Sequence, residues 1–147
     1  MTTAQERPVI VVGVDGSEAS KQALVWAAGQ ARLTAAELHV IVAWRTPVTY
    51  GYPADYTDVD FAARARKELE KTVSDVLGAD PAVPVVLQVA EGHPAHVLTD
   101  AAESAALLVV GSRGHGAFAG MLLGSTSQHC IAHAPTPVVV IRQPDAS

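Results

Sequence analysis

A glycine-rich segment follows a strongly apolar run in the last third of the chain. The run ALLVVG ends at Gly111, and the segment GSRGHGAFAGMLLG, residues 111–124, holds five of the eleven glycines in the chain. Glycine loses more conformational entropy on folding than any other residue, so a glycine cluster indicates a geometric demand. Two explanations are open: a surface loop with tight turns, or a cradle whose backbone N–H groups closely approach an anion.

The residues after this loop favour a phosphate. Ser125 is a good helix N-cap, which would leave N–H groups of residues 126–128 unpaired at the start of a helix. The helix dipole and these donors both attract negative charge. The spacing is not that of a P-loop, because no Gly-Lys-Ser/Thr follows, and the dinucleotide fingerprint would follow the first strand.

The charges of the loop are few. Arg113 is its one permanent cation, and the charge of His115 depends on pH. The charge of a bound phosphate would therefore be met largely by backbone N–H groups and by a divalent cation, Mg or Mn.

Composition limits the class of protein. The chain has 147 residues, 49% of them hydrophobic and 17% charged, which predicts one globular domain over residues 1–147. A formal net charge of −5 argues against nucleic acid or an anionic membrane as the main partner. The single cysteine and the absence of an 18-residue apolar run favour a cytoplasmic protein.

Apolar runs alternate with amphipathic stretches along the chain. Strands are predicted over residues 8–14, 37–44, 83–92, 106–111 and 136–143, with helices between them. We expect a flexible N-terminus (1–7), a long loop (45–57) and a C-terminal tail (143–147). This order predicts a doubly wound, five-stranded parallel α/β sheet of Rossmann-like type, in which ligands bind beyond the carboxyl ends of the strands.

The glycine loop carries a recognisable pattern. G-x2-G-x9-G-[ST] at Gly111, Gly114, Gly124 and Ser125 resembles the ATP-binding signature of the universal stress protein family. VVGVDGSEAS resembles the opening strand and turn of that family, and PVVVIR resembles its closing strand. The resemblance covers nearly the whole chain and implies an adenine nucleotide alpha hydrolase-like fold.

The resemblance also implies a binding site for ATP or a related adenine nucleotide. Its residues, by position in this sequence, are Gly13, Asp15, Val42, Trp44, Gly111, Ser112, Arg113, Gly114, His115, Gly116, Gly124, Ser125 and Thr126. Val42 or Trp44 would meet the adenine, although a tryptophan at a strand end is often a core residue. Asp15 could bind a metal through water, hydrogen-bond the nucleotide, or serve only as a turn residue at the first helix.

Two histidine patterns are weaker signals. HPAH, residues 93–96, is similar to the H-x-G-H motif of adenylyltransferases, but it follows the third strand and has Ala95 where the motif has glycine. His129 and His133 have a spacing that can bind zinc, yet no third ligand is evident from the sequence. We interpret these histidines as structural and Cys130 as a packed apolar residue.

The sequence shows no nucleophile elbow and no pair of acids near the loop to activate water. We therefore expect a nucleotide-binding stress sensor or regulator. The alternatives are a slow ATP hydrolase that uses the same pocket, and an interaction protein that needs no nucleotide.

The last strand predicts assembly. Residues 138–141 are apolar and should form a sheet edge, which is an aggregation hazard unless it is covered. The resemblance to universal stress proteins, which form dimers through their last strand, points the same way. We therefore expect a homodimer through Val138–Ile141.

Overall fold

The computed structural model describes residues 7–46, 60–114 and 123–142. Strands and helices alternate along them: β1 (Val9–Gly13), α1 (Glu18–Thr34), β2 (Glu37–Trp44), α2 (Phe61–Leu77), β3 (Val85–Glu91), α3 (Pro94–Ala101), β4 (Leu107–Gly111), α4 (Ser125–His133) and β5 (Val138–Ile141). A short 3₁₀ turn, Ala102–Ser104, extends α3 towards β4.

The strands form one parallel sheet in the order β3-β2-β1-β4-β5, which confirms the doubly wound fold. The chain builds outward from β1 to β3 and then returns to place β4 on the other side of β1. Strand order therefore reverses between β1 and β4, and this is where such sheets bind ligands.

In the described part of the chain, two helices pack on each face of the sheet. Side chains alternate along the strands, so Val12 and Val40 pack with α1 and α2, whereas Val11 and Ile41 pack with α3 and α4. Cys130 of α4 belongs to the second of these two layers, the one between the sheet and helices α3 and α4. Burial raises the pKa of its thiol to about 11. Its environment is that of a packed apolar residue, as the sequence indicates.

Polar side chains cap α1 and α2, whereas α4 begins after a glycine. Ser17 caps α1, and Asp60 caps α2 by accepting the Ala63 N–H at 2.9 Å. The expected cap of α4 was Ser125, but the cap is Gly124 and Ser125 is the first helical residue. Gly124 has no side chain with which to accept a hydrogen bond, so the first turn of α4 has no side-chain cap.

No helix in the described part of the chain is long and apolar enough to cross a lipid bilayer.

Candidate functional site

A cavity of about 320 Å³ opens where the strand order reverses. It lies beyond the carboxyl ends of β1, β2 and β4 and is closed at one side by the start of α4. Eight residues that the sequence assigned to the nucleotide site line it: Gly13, Asp15, Gly111, Arg113, Gly114, Gly124, Ser125 and Thr126. Residues far apart in sequence therefore meet at one site.

The first turn of α4 is tied to the end of β4. The Gly124 N–H donates to the Ser112 carbonyl at 2.6 Å, and the Ser127 hydroxyl reaches the same carbonyl at 3.1 Å. Ser127 is buried and also lies 3.0 Å from the Gly124 carbonyl. These bonds hold the N-terminus of α4 against the cavity, where its first N–H groups have no acceptor within the helix.

Asp15 lines the same cavity as this helix start. Its carboxylate accepts hydrogen bonds from the backbone N–H of Ser17, at 2.9 Å, and from the Ser17 hydroxyl. Ser17 is in turn the N-cap of α1. Asp15 is thus both a turn residue at the first helix and a lining residue of the cavity, so its role in the turn leaves it beside the space for a ligand.

Gly114 allows the glycine loop to approach Asp15. A Cβ built on Gly114 would lie 2.5 Å from Asp15 Oδ2, a distance at which one of the two groups must move. Glycine at position 114 therefore leaves room for the Asp15 carboxylate beside the loop.

The cavity combines charge with an apolar wall. Arg113 and Asp15 supply opposite charges at its lining, and Ser125 and Thr126 supply hydroxyl groups. Ile41, Leu98 and Val110 supply apolar surface. A ligand with an anionic part and a flat, weakly polar part fits such a lining.

Two residues expected near the adenine do not line the cavity. Val42 packs in the layer beneath α1 and α2, and Trp44 stacks on Phe61 with ring centres 6.5 Å apart. Their neighbours Ile41 and Ala43 line the cavity instead, because successive side chains of a strand point to opposite faces of the sheet.

Gly111 and Ser112, two of the predicted site residues, shape the site through packing and backbone contacts. A Cβ on Gly111 would lie 2.8 Å from the backbone carbon of Ala19, so Gly111 lets α1 pack closely on β4. Ser112 is buried, and it contributes its backbone rather than lining the cavity. His115 and Gly116 lie outside the described residues.

Sequence reasoning missed seven residues of the described lining: Val14, Ser20, Ile41, Ala43, Pro94, Leu98 and Val110. Ile41 is the register partner of Gly13 on the adjacent strand, and register partners in a parallel pair share a face. The sequence does not give this register, so it carried no signal for Ile41. It carried none for Leu98 either, because the position of Leu98 depends on how α3 packs on Gly13.

The fold and this cavity define a doubly wound α/β protein with a cavity at the reversal of strand order. The sequence model of the Universal stress protein family matches residues 7–142. The chain belongs to the universal stress protein family.

Relatives with known sequences support this assignment. A universal stress protein of Mycolicibacterium smegmatis is 37% identical over 146 residues, covering 92% of this chain and 48% of the relative. One from Mycobacterium tuberculosis is 35% identical over 146 residues, covering 97% of this chain and 48% of the relative. The chain thus spans about half the length of these curated relatives.

Solved structures agree with the fold. Universal stress protein UspA from Lactobacillus plantarum superposes with a TM-score of 0.74 at 26% identity, covering 94% of this chain and all of that one. A universal stress protein in complex with cAMP superposes with a TM-score of 0.61 at 27% identity, covering 91% and 95% of the two chains.

Proposed function

We propose that this protein binds an adenine nucleotide, ATP or a close relative of it, and acts as a sensor or regulator in the stress response. The observation that carries the proposal is the cavity between β1 and β4, which Asp15, the start of α4 and an apolar wall line together. The related protein solved with cAMP supports an adenine nucleotide as the ligand.

The phosphates would lie at the start of α4. Ser125, Thr126 and Ser127 are the first three residues of that helix, and all three line the cavity. Their N–H groups lie where a helix favours an anion, and Arg113 adds a positive charge on the same lining.

Asp15 fits a divalent cation. Mg²⁺ is bound through oxygen ligands, usually one or two carboxylates together with waters and phosphates, and Asp15 is a carboxylate on the cavity lining. The cation, Mg or Mn, would offset phosphate charge together with Arg113, the cationic side chain on the described lining. The adenine would lie against Ile41, Leu98 and Val110, whose apolar surface suits a flat ring.

The first experiment identifies the ligand. The purified chain is denatured, and any released nucleotide is identified by mass spectrometry. Calorimetry on nucleotide-free protein then compares ATP, AMP and cAMP, each with and without Mg or Mn. We expect an adenine nucleotide to bind with one site per chain; failure of all three to bind would overturn the proposal.

A second experiment separates binding from turnover. Phosphate release from ATP is followed at saturating nucleotide with Mg or Mn. Binding without multiple turnovers supports a sensor or regulator, whereas sustained release would favour the hydrolase.

Location and assembly are further parts of the proposal. We expect the protein to act in the cytoplasm and to form a homodimer through β5. The dimer is supported by the position of β5 at one edge of the described sheet, where its outer backbone groups can pair with a second copy.

A further inference from the structure

The fold brings the two histidine patterns of the sequence together. His93 and His96 lie at the start of α3, and His129 and His133 lie on α4, which packs against α3. Ring centres are 5.7 Å apart for His93 and His96, 4.9 Å for His96 and His129, and 4.5 Å for His129 and His133. Four imidazoles thus form a continuous row across the seam between the two helices.

The spacing of two neighbouring pairs in this row matches that of two imidazoles on one metal ion. Zinc binds histidine nitrogen at 2.0–2.1 Å in tetrahedral geometry, which places the ring centres of two ligands roughly 5 Å apart. His129 has this separation from His96 on the other helix and from His133 one turn along its own helix. The fold therefore places a third imidazole, that of His96 on α3, beside the pair on α4.

We propose that His96, His129 and His133 form a binding site for a zinc-class divalent metal ion, with water completing the coordination. Among the described residues, no three His, Cys, Asp or Glu side chains already converge as metal ligands, so the imidazoles must rotate to bind. His96 and His133 are exposed, which leaves solvent space for this rotation.

The neighbouring groups have other roles. His93 Nδ1 accepts the Ala95 N–H at 3.2 Å, so this ring caps α3 and holds one nitrogen away from a metal. Cys130 is buried among apolar side chains of the second layer. The proposed site consequently uses three imidazoles and no thiolate.

A metal in this position would join α3 to α4. Ser125 lies one turn before His129 on α4, and Pro94 lies two residues before His96 on α3. Both Ser125 and Pro94 line the cavity. The metal would therefore restrain two walls of the cavity without occupying it.

The test uses the full chain without an affinity tag and free of nucleotide. Zn²⁺ alone is titrated by calorimetry, and Co²⁺ is titrated with visible absorption to report tetrahedral coordination. We expect one Zn²⁺ per chain with a dissociation constant on the order of micromolar. His96→Gln, His129→Gln and His133→Gln should each weaken binding by about tenfold or more.

A control variant makes the result specific. His39→Gln removes a histidine that pairs with Glu37 on β2 and should not change Zn²⁺ affinity. Zn²⁺ should also raise the unfolding temperature of the unmodified chain more than that of His129→Gln. Absence of saturable binding, or equal affinity in the three histidine variants and in His39→Gln, would overturn the proposal.

Discussion

The glycines around the cavity differ in what a side chain would meet. At Gly124 an added Cβ would have Arg113 Cα and Gly114 N as its nearest neighbours, both at the ordinary contact distance of 3.5 Å. The φ angle of Gly124 is −73°, which any residue can adopt. Gly124→Ala should therefore fold normally and yet weaken nucleotide binding by about 1 kcal/mol or more, because the methyl group obstructs the phosphates beside the α4 N–H groups. Calorimetry with thermal unfolding checks both expectations.

Two other glycines provide matched controls for Gly124. Gly29 lies in the middle of α1 with no atom within 4 Å of an added Cβ, so Gly29→Ala should leave affinity unchanged. Gly111→Ala would meet the Ala19 backbone and should lower stability by about 1–3 kcal/mol. If Gly124→Ala binds nucleotide as well as Gly29→Ala does, the glycine loop is not a phosphate cradle.

The Arg113→Ala variant tests which groups of the protein offset the negative charge of the phosphates. If backbone N–H groups of α4 dominate, Arg113→Ala should weaken nucleotide binding by about 1–2 kcal/mol, the contribution of one charged hydrogen bond. Arg32→Ala, in the last turn of α1, removes an equal charge away from the cavity and should have no effect. Calorimetry on both variants gives the comparison, and complete loss of binding in Arg113→Ala would contradict the dominance of the helix N-terminus.

At the scale of elements, the seam between α3 and α4 predicts a pH dependence. Burial, followed by the neighbouring imidazoles of His133, His96 and His93, lowers the pKa of His129 from its ordinary value of 6.5. The unfolded chain then takes up a proton at this position more readily than the folded chain. The contribution of His129 to stability is complete above about pH 6.5 and is lost as the pH falls through 6.5 towards the folded pKa.

The measurement is unfolding in a metal chelator at several pH values between about pH 7.5 and about pH 5.5. The unmodified chain should lose more stability over this range than His129→Gln, which cannot titrate at this position. His39→Gln is the matched control and should behave like the unmodified chain. Parallel pH profiles for all three proteins would show that the histidine row has no effect on folding.

At the scale of the whole molecule, β5 predicts self-association. The Leu108 N–H donates to the Pro137 carbonyl and the Ser112 N–H to the Ile141 carbonyl, so alternate residues of β5 face β4. The backbone groups of Val138 and Val140 then point to the outer edge. Val140→Pro removes one outward donor, while proline is tolerated on edge strands, so this change should shift a homodimer towards monomer.

Light scattering at tens of micromolar measures the oligomeric state. Val140→Ala shortens the same side chain and keeps its N–H, so it should remain dimeric. A monomeric unmodified chain would contradict the dimer, and a dimer that survives Val140→Pro would place the interface on another surface.

Much of this architecture was predictable from local patterns. Five apolar runs separated by amphipathic stretches define a doubly wound sheet, because parallel strands are buried on both faces and need crossover helices. The glycine spacing from Gly111 to Ser125 and the turn at Asp15 indicated the cavity, because the carboxyl ends of parallel strands meet at one edge. The cap of α4 was misplaced by one residue, since Ser125 and Gly124 are both acceptable caps in sequence.

Tertiary packing alone decided the rest. The choice of Ile41 over Val42 on the cavity wall depends on sheet register, and the presence of Leu98 depends on how α3 packs on Gly13. The close approach of Gly114 to Asp15 and of His96 to His129 joins segments that have no local relation in sequence. Local periodicity specifies which face of an element is apolar, but contacts between elements depend on the angle and depth at which their side chains interlock.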